Sequence, residues 1–75
     1  MSMMAEKLAD QLATEVIRHI EKTGDEAVVA AMTRLLGESS QTMQDAFTIS
    51  LRVQRAALRG NRMLAERARE VAMEG

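Results

Sequence analysis

His19 is the first residue to consider for chemistry, because it is the only histidine in the 75-residue chain. Glu15 precedes it by four positions, so on a helix the two side chains lie one turn apart on the same side. A carboxylate and an imidazole at that spacing can form an acid–base pair or supply two metal ligands. Neither role is supported by a further residue, since the chain has no cysteine and no second histidine to add to the pair. We therefore predict no catalytic site, metal or cofactor, and expect His19 to hydrogen-bond Glu15 or a neighbouring helix.

A row of arginines is the second candidate site. Its members, spaced three or four residues apart, are Arg52, Arg55, Arg59 and Arg62. Residues at these steps share one face of a helix, and guanidinium groups in a row could bind phosphates or an acidic protein surface. The alternative is an ordinary solvated face that nearby acidic residues partly neutralise. No aromatic residue lies among the arginines, so stacking on the bases of a single strand is not expected.

A third pattern fits the helix-turn-helix arrangement, in which a short helix, a turn containing Gly37 and a longer helix follow one another. Gln41 and Gln44 could read adenine edges in a DNA groove. However, Asp45 would repel phosphates, and the longer helix has no basic residue before Arg52. Any two helices joined by a short turn would fit this pattern, so we do not favour it.

The composition predicts a small helical protein that needs a partner. The chain has no proline and four glycines, and it is rich in alanine, leucine, methionine, glutamate and arginine. A chain of this size buries only about 60% of its unfolded surface, and without cysteine no disulfide can compensate. The longest uninterrupted apolar run, residues 27–32, is too short to cross a membrane. With no recognisable secretory signal, the prediction is a cytoplasmic protein of a single domain, 1–75, with no membrane association.

Hydrophobic periodicity and the signals at helix ends place the secondary structure. Three helices are expected, at about residues 3–22, 26–36 and 41–73. Gly24 can end the first helix and Gly37 the second, because glycine readily adopts the left-handed conformation at a helix end. Before the second helix, Thr23 and Glu26 have the spacing of a capping box, with Asp25 as the alternative cap.

The third helix is expected to be long and unbroken. Ser39 or Ser40 can cap its start. Gly60 and Asn61 mark a possible break, where a glycine could stop one helix and an asparagine cap another. Their neighbours are strong helix formers, and an interior glycine costs only about 1 kcal/mol, so we predict continuity. At about 50 Å, against about 30 Å for the first helix, part of the third helix must project beyond the other two.

The third helix also has more uncharged surface than the other two can cover. Three adjoining strips without charge span about half of its circumference, compared with about 100° for an ordinary surface helix. One strip consists of Ala46, Ile49, Val53, Leu64 and Val71. We predict that further copies of the chain cover the surplus. The predicted interface consists of Phe47, Ser50, Leu51, Gln54, Ala57, Leu58, Asn61, Leu64 and Ala68.

Within this predicted interface, Phe47, Leu51 and Leu58 would be the apolar anchors. The polar members, Ser50 and Gln54 among them, would either set the register by hydrogen bonds across the interface or lie at a solvated edge. The predicted fold is thus an all-α three-helix unit, with a short second and a long third helix, that assembles into a homo-oligomeric bundle.

The predicted function is a non-catalytic oligomerisation or protein-interaction module, such as a small adaptor, co-chaperone or assembly factor. Its partners would be copies of itself and an unidentified protein. The alternative is a small nucleic-acid-binding protein that uses the arginine row. Its weakness is the formal net charge of −1, which lacks the basic excess typical of such proteins.

Overall fold

The computed structural model describes residues 3–74, and over this range the chain is all-α. Three helices follow one another: α1 (Met3–Thr23), α2 (Ala27–Ser39) and α3 (Gln41–Glu74). No strand is present among these residues. Residues 1, 2 and 75 of the predicted domain lie outside the described range. α3 runs without a break through Gly60 and Asn61, which is the continuous helix that the sequence favours.

α1 ends at a glycine, as predicted, but the predicted capping box at the start of α2 is wrong. Gly24 has a left-handed backbone (φ 75°), and its N–H donates to the carbonyl of Ile20 at 2.7 Å. The hydroxyl of Thr23 donates to the carbonyl of His19 at 2.8 Å and accepts from the N–H of Asp25 at 3.1 Å. Because Thr23 belongs to the end of α1, it does not cap α2, and Glu26 forms no side-chain cap either.

Gly37 does not end α2, contrary to the prediction. The helix continues to Ser39, and a Cβ atom at Gly37 would overlap the side-chain amide of Gln44 on α3. That amide donates to the carbonyl of Thr33 at 2.9 Å. Glycine is therefore explained here by the close approach of α3. Ser40 immediately precedes α3, and its hydroxyl accepts from the N–H of Met43 at 3.2 Å and so caps that helix.

α1 and α3 form the core by packing side by side in the same direction. Their hydrogen bonds join residues 40 or 44 positions apart, as between Asp10 and Ser50. Small residues on α1 let the two helices approach around the fully buried ring of Phe47. The buried core cluster consists of Ala9, Ala13, Val16, Ile17, Phe47 and Leu51. α2 runs in the opposite direction along α3 and contributes only partly buried side chains.

The molecule is long and thin. Its principal extents are 54 × 28 × 13 Å, and its radius of gyration is 15.7 Å. A compact chain of this length would have a radius of gyration of about 11 Å. The register of α1 on α3 brings the last residue of α1, Thr23, level with Met63. Every described residue from Arg59 onwards is exposed. The last part of α3 therefore projects beyond the rest of the chain.

Candidate interaction surface

One apolar face of α3 is not covered by the rest of the chain. We call it the apolar strip; its members, three or four residues apart, are Ala46, Ile49, Val53, Ala57, Gly60, Leu64, Ala68 and Val71. Its four large side chains are more than half exposed: Ile49 at 59%, Val53 at 63%, Leu64 at 64% and Val71 at 56%. Over about 38 Å of helix this face has one charged residue, Arg67, which borders the strip between Leu64 and Val71. An uncovered apolar surface of this extent is typical of an interaction site.

An open groove of about 690 Å³ lies between α1 and the first part of the apolar strip. Its floor includes Ala5 from α1 and Ile49 and Val53 from α3. Three carboxylates line it, and no basic residue does. They belong to Glu6, Asp10 and Asp45. The groove is therefore apolar at its base and negatively charged around it.

Two polar residues of the predicted interface contact α1 of the same chain. The hydroxyl of Ser50, which is buried, donates to a carboxylate oxygen of Asp10 at 2.6 Å. The amide of Gln54 donates to the carbonyl of Asp10 at 3.1 Å, and its oxygen accepts from the hydroxyl of Thr14 at 3.0 Å. Ser50 and Gln54 therefore form hydrogen bonds between two helices, but these helices are α1 and α3 of the same chain.

The predicted anchors are also used within the chain. Phe47 is fully buried, Leu51 is 5% exposed, and Leu58 packs partly buried against the same core. Phe47 and Leu51 thus contribute to the core of their own chain, and the interface between chains stays a prediction. The remaining predicted residues, Ala57, Asn61, Leu64 and Ala68, are exposed. Ile49 and Val53, which the predicted interface does not include, are also exposed, and they belong to one of the uncharged strips described in the sequence.

The arginine row is interrupted by an ion pair. One terminal nitrogen of Arg55 donates to both carboxylate oxygens of Glu26, at 2.8 and 2.9 Å. This contact ties α3 to the connection between α1 and α2. Arg52, Arg59 and Arg62 are exposed and form no ion pair with any residue of the range 3–74. Three of the four predicted arginines are thus available to a ligand, whereas Arg55 is paired with Glu26.

His19 contacts neither Glu15 nor another helix, contrary to the prediction. Its Nε2 lies 2.9 Å from a carboxylate oxygen of Asp25, beyond the end of α1. Glu15 instead accepts from Arg18 at 2.8 Å. Both partners of the His19 pair are more than two-fifths exposed, so the contact is a surface interaction at a helix end. The acid–base pair considered from the sequence is not assembled.

The described residues contain no cluster of three or more histidine, cysteine, aspartate or glutamate side chains that could hold a metal ion. Nor does any helix within residues 3–74 have the length and hydrophobicity needed to span a bilayer. Compared with known proteins, the chain matches no described protein family, no curated protein sequence and no solved structure.

Proposed function

We propose that this chain is a non-catalytic protein-interaction module that acts as a homo-oligomer, and that it assembles through the apolar strip of α3. The observation that carries the proposal is the exposure of Ile49, Val53, Leu64 and Val71 along one face of α3. Burying such a face against a second chain removes apolar surface from water, which is the main favourable contribution in most protein associations. Adaptors, co-chaperones and assembly factors work by contacts of this kind, and we propose a role in that class.

The exposed area supports self-association. The chain exposes 5788 Å². A compact monomer of its mass, 8.3 kDa, would expose about 4,600 Å². The surplus of about 1,200 Å² exceeds the roughly 800 Å² per partner that a stable interface of standard size buries. The elongated shape thus gives the chain enough spare surface for a stable dimer.

Two neighbouring substitutions test the proposal. Leu64 and Met63 are adjacent and similarly exposed, at 64% and 58%, but they lie about 100° apart around α3 and only Leu64 belongs to the apolar strip. Leu64→Asp places a charge in the proposed interface and is expected to dissociate the oligomer, whereas Met63→Asp leaves it intact. Sedimentation equilibrium measures the mass of each variant. A wild-type chain that is monomeric at the highest attainable concentration, or equal effects of both substitutions, would contradict the proposal.

A second candidate function, nucleic-acid binding, is supported by Arg52, Arg59 and Arg62, three members of the arginine row that form no ion pair within residues 3–74. The matched variants are Arg59→Glu with Arg62→Glu and, as the control with the same charge change, Arg34→Glu with Arg69→Glu. Binding of duplex DNA or single-stranded RNA that weakens with added salt and is lost only in the first variant would support this candidate. We expect no such binding, because Arg55 is engaged by Glu26 and because Glu21 lines the same shallow groove as Arg59 and Arg62.

A further inference from the structure

We propose that the occupant of the groove between α1 and α3 is the projecting end of α3 from a second copy of the chain, in a two-fold symmetric dimer with antiparallel α3 helices. This inference rests on the proposed function, and it specifies the partner and its orientation. The groove extends along residues 42–54 of α3. Residues 59–71, which are all exposed, form a helical segment of equal length. Each copy therefore has one groove to fill and one segment to fill it.

The order of large and small residues in the apolar strip favours this orientation. If two strips are laid antiparallel with the two-fold axis between Ala56 and Ala57, residue n of one copy lies opposite residue 113 − n of the other. Val53 then faces Gly60 of the second copy, and Ile49 faces Leu64. The alanines at the axis allow the helices to approach closely, and the larger side chains pack on either side of it.

Gly60 supports a close approach at that point. A Cβ atom added at Gly60 would meet nothing within 4 Å in its own chain, and its φ is not positive. Alanine would therefore fit without strain and favour the helix by about 1 kcal/mol. The chain's own fold gives no reason for a glycine here, whereas Val53 of a second copy passing over this position provides one. Gly37, by contrast, is accounted for by Gln44 of the same chain.

The charges also favour the antiparallel arrangement. The groove carries the carboxylates of Glu6, Asp10 and Asp45 and no basic residue. The stretch from residue 59 to 71 carries four arginines and two glutamates. In the antiparallel register, Arg67 of one copy lies beside Asp45 of the other on the same flank of the helix pair. A parallel arrangement would keep Arg67 of one copy 22 residues away from Asp45 of the other along the helix axis, so these opposite charges would not meet, and neither groove would receive the projecting end.

Spin-label distances test the orientation. The chain has no cysteine, so Glu70→Cys provides a single attachment site on the exposed side of α3. The two labels of an antiparallel dimer are expected to be at least about 40 Å apart, because they are offset by 27 residues along the helix axis. In a parallel dimer the axial offset is zero and the labels are separated only by the width of the helix pair. The control is Arg52→Cys, on the same side of α3 but near the two-fold axis. Its two labels are offset by only about 14 Å along the helix in the antiparallel dimer.

A charge exchange tests the register. Arg67→Asp is expected to raise the dimer dissociation constant about threefold to tenfold, because each dimer contains two exposed Arg67–Asp45 pairs. Combining it with Asp45→Arg is expected to restore association. The control, Arg69→Asp, makes the same charge change away from the strip and is expected to have a smaller effect that Asp45→Arg does not reverse.

The two proposals fail in different ways. A monomeric wild type would overturn both the proposed function and the dimer. An assembly that Leu64→Asp dissociates, but whose Glu70→Cys labels lie close together or whose mass exceeds two chains, would overturn the antiparallel dimer and leave the proposed function standing. Failure of Asp45→Arg to rescue Arg67→Asp would overturn the register.

Discussion

Ser50 is the one polar side chain that the chain buries among its described residues. Its hydroxyl donates to a carboxylate oxygen of Asp10 at 2.6 Å and accepts from the amide of Gln54 at 3.1 Å. Hydrogen bonds to a charged acceptor are stronger than neutral ones, and this one joins the two helices that form the core. The network fixes the register of α1 on α3, because a slip by one residue would separate all three groups.

We predict that Ser50→Ala lowers the free energy of unfolding by about 1 kcal/mol, through loss of the hydrogen bond to Asp10. The expected loss in stability is small because Asp10 is exposed, so that water can replace the hydroxyl as its hydrogen-bond donor. Ser39→Ala is the control, since Ser39 is exposed and only donates to Leu35 of its own helix at 3.3 Å. Urea unfolding compares the two variants. Equal stabilities would show that the Ser50 contact contributes nothing.

The end of α1 and the start of α3 were predictable, because the signals that set them are local. Gly24 provides the left-handed residue that ends α1, and Ser40 accepts the N–H that starts α3. The end of α2 was not predictable in the same way. Gly37 is a glycine because Gln44, from another helix, comes close to it, and a sequence pattern does not distinguish a glycine of that kind from one that ends a helix.

The surplus of uncharged surface on α3 was also predictable. Which part of that surface α1 covers, and which part stays exposed, was not. Three adjoining strips have similar hydrophobicity, and α1 could pack against any of them. The choice depends on how closely two helices approach, which here is set by the small side chains of Ala9 and Ala13 against Phe47. As a result, the predicted interface combined residues that α1 covers with residues that stay exposed.

Two glycines inside helices, Gly60 and Gly37, have different surroundings, and this difference gives a prediction at the scale of the helix. In the Leu64→Asp background, in which we expect a monomer, Gly60→Ala should raise the free energy of unfolding by about 0.5–1 kcal/mol. Gly37→Ala should change it little, because Gln44 must move and lose its hydrogen bond to Thr33, which offsets the gain in helix propensity. Thermal or urea unfolding measures both. A Gly37→Ala variant stabilised as much as Gly60→Ala would contradict this account.

At the scale of the whole molecule, the projecting end of α3 is separate from the core. The buried cluster and the residues packed against it extend no further than Leu58. We predict that a chain truncated after Met63 folds as a monomer whose free energy of unfolding is within about 0.5 kcal/mol of that of Leu64→Asp, since no buried contact is removed. Circular dichroism with urea unfolding measures this, and sedimentation checks that association is lost. An unfolded truncated chain would show that the end of α3 stabilises the core.

The thinness of the molecule has a consequence for how freely its sequence can vary. In a slab 13 Å thick, about the diameter of one helix, few side chains can be surrounded on all sides. Eight described residues are buried: Ala5, Ala9, Ala13, Val16, Ile17, Phe47, Ser50 and Leu51. Substitutions at exposed positions usually change stability by less than about 0.5 kcal/mol. Most of the chain could therefore diverge while the fold persists, and if the apolar strip is an interface, its residues are the exposed positions at which selection would hold the sequence constant.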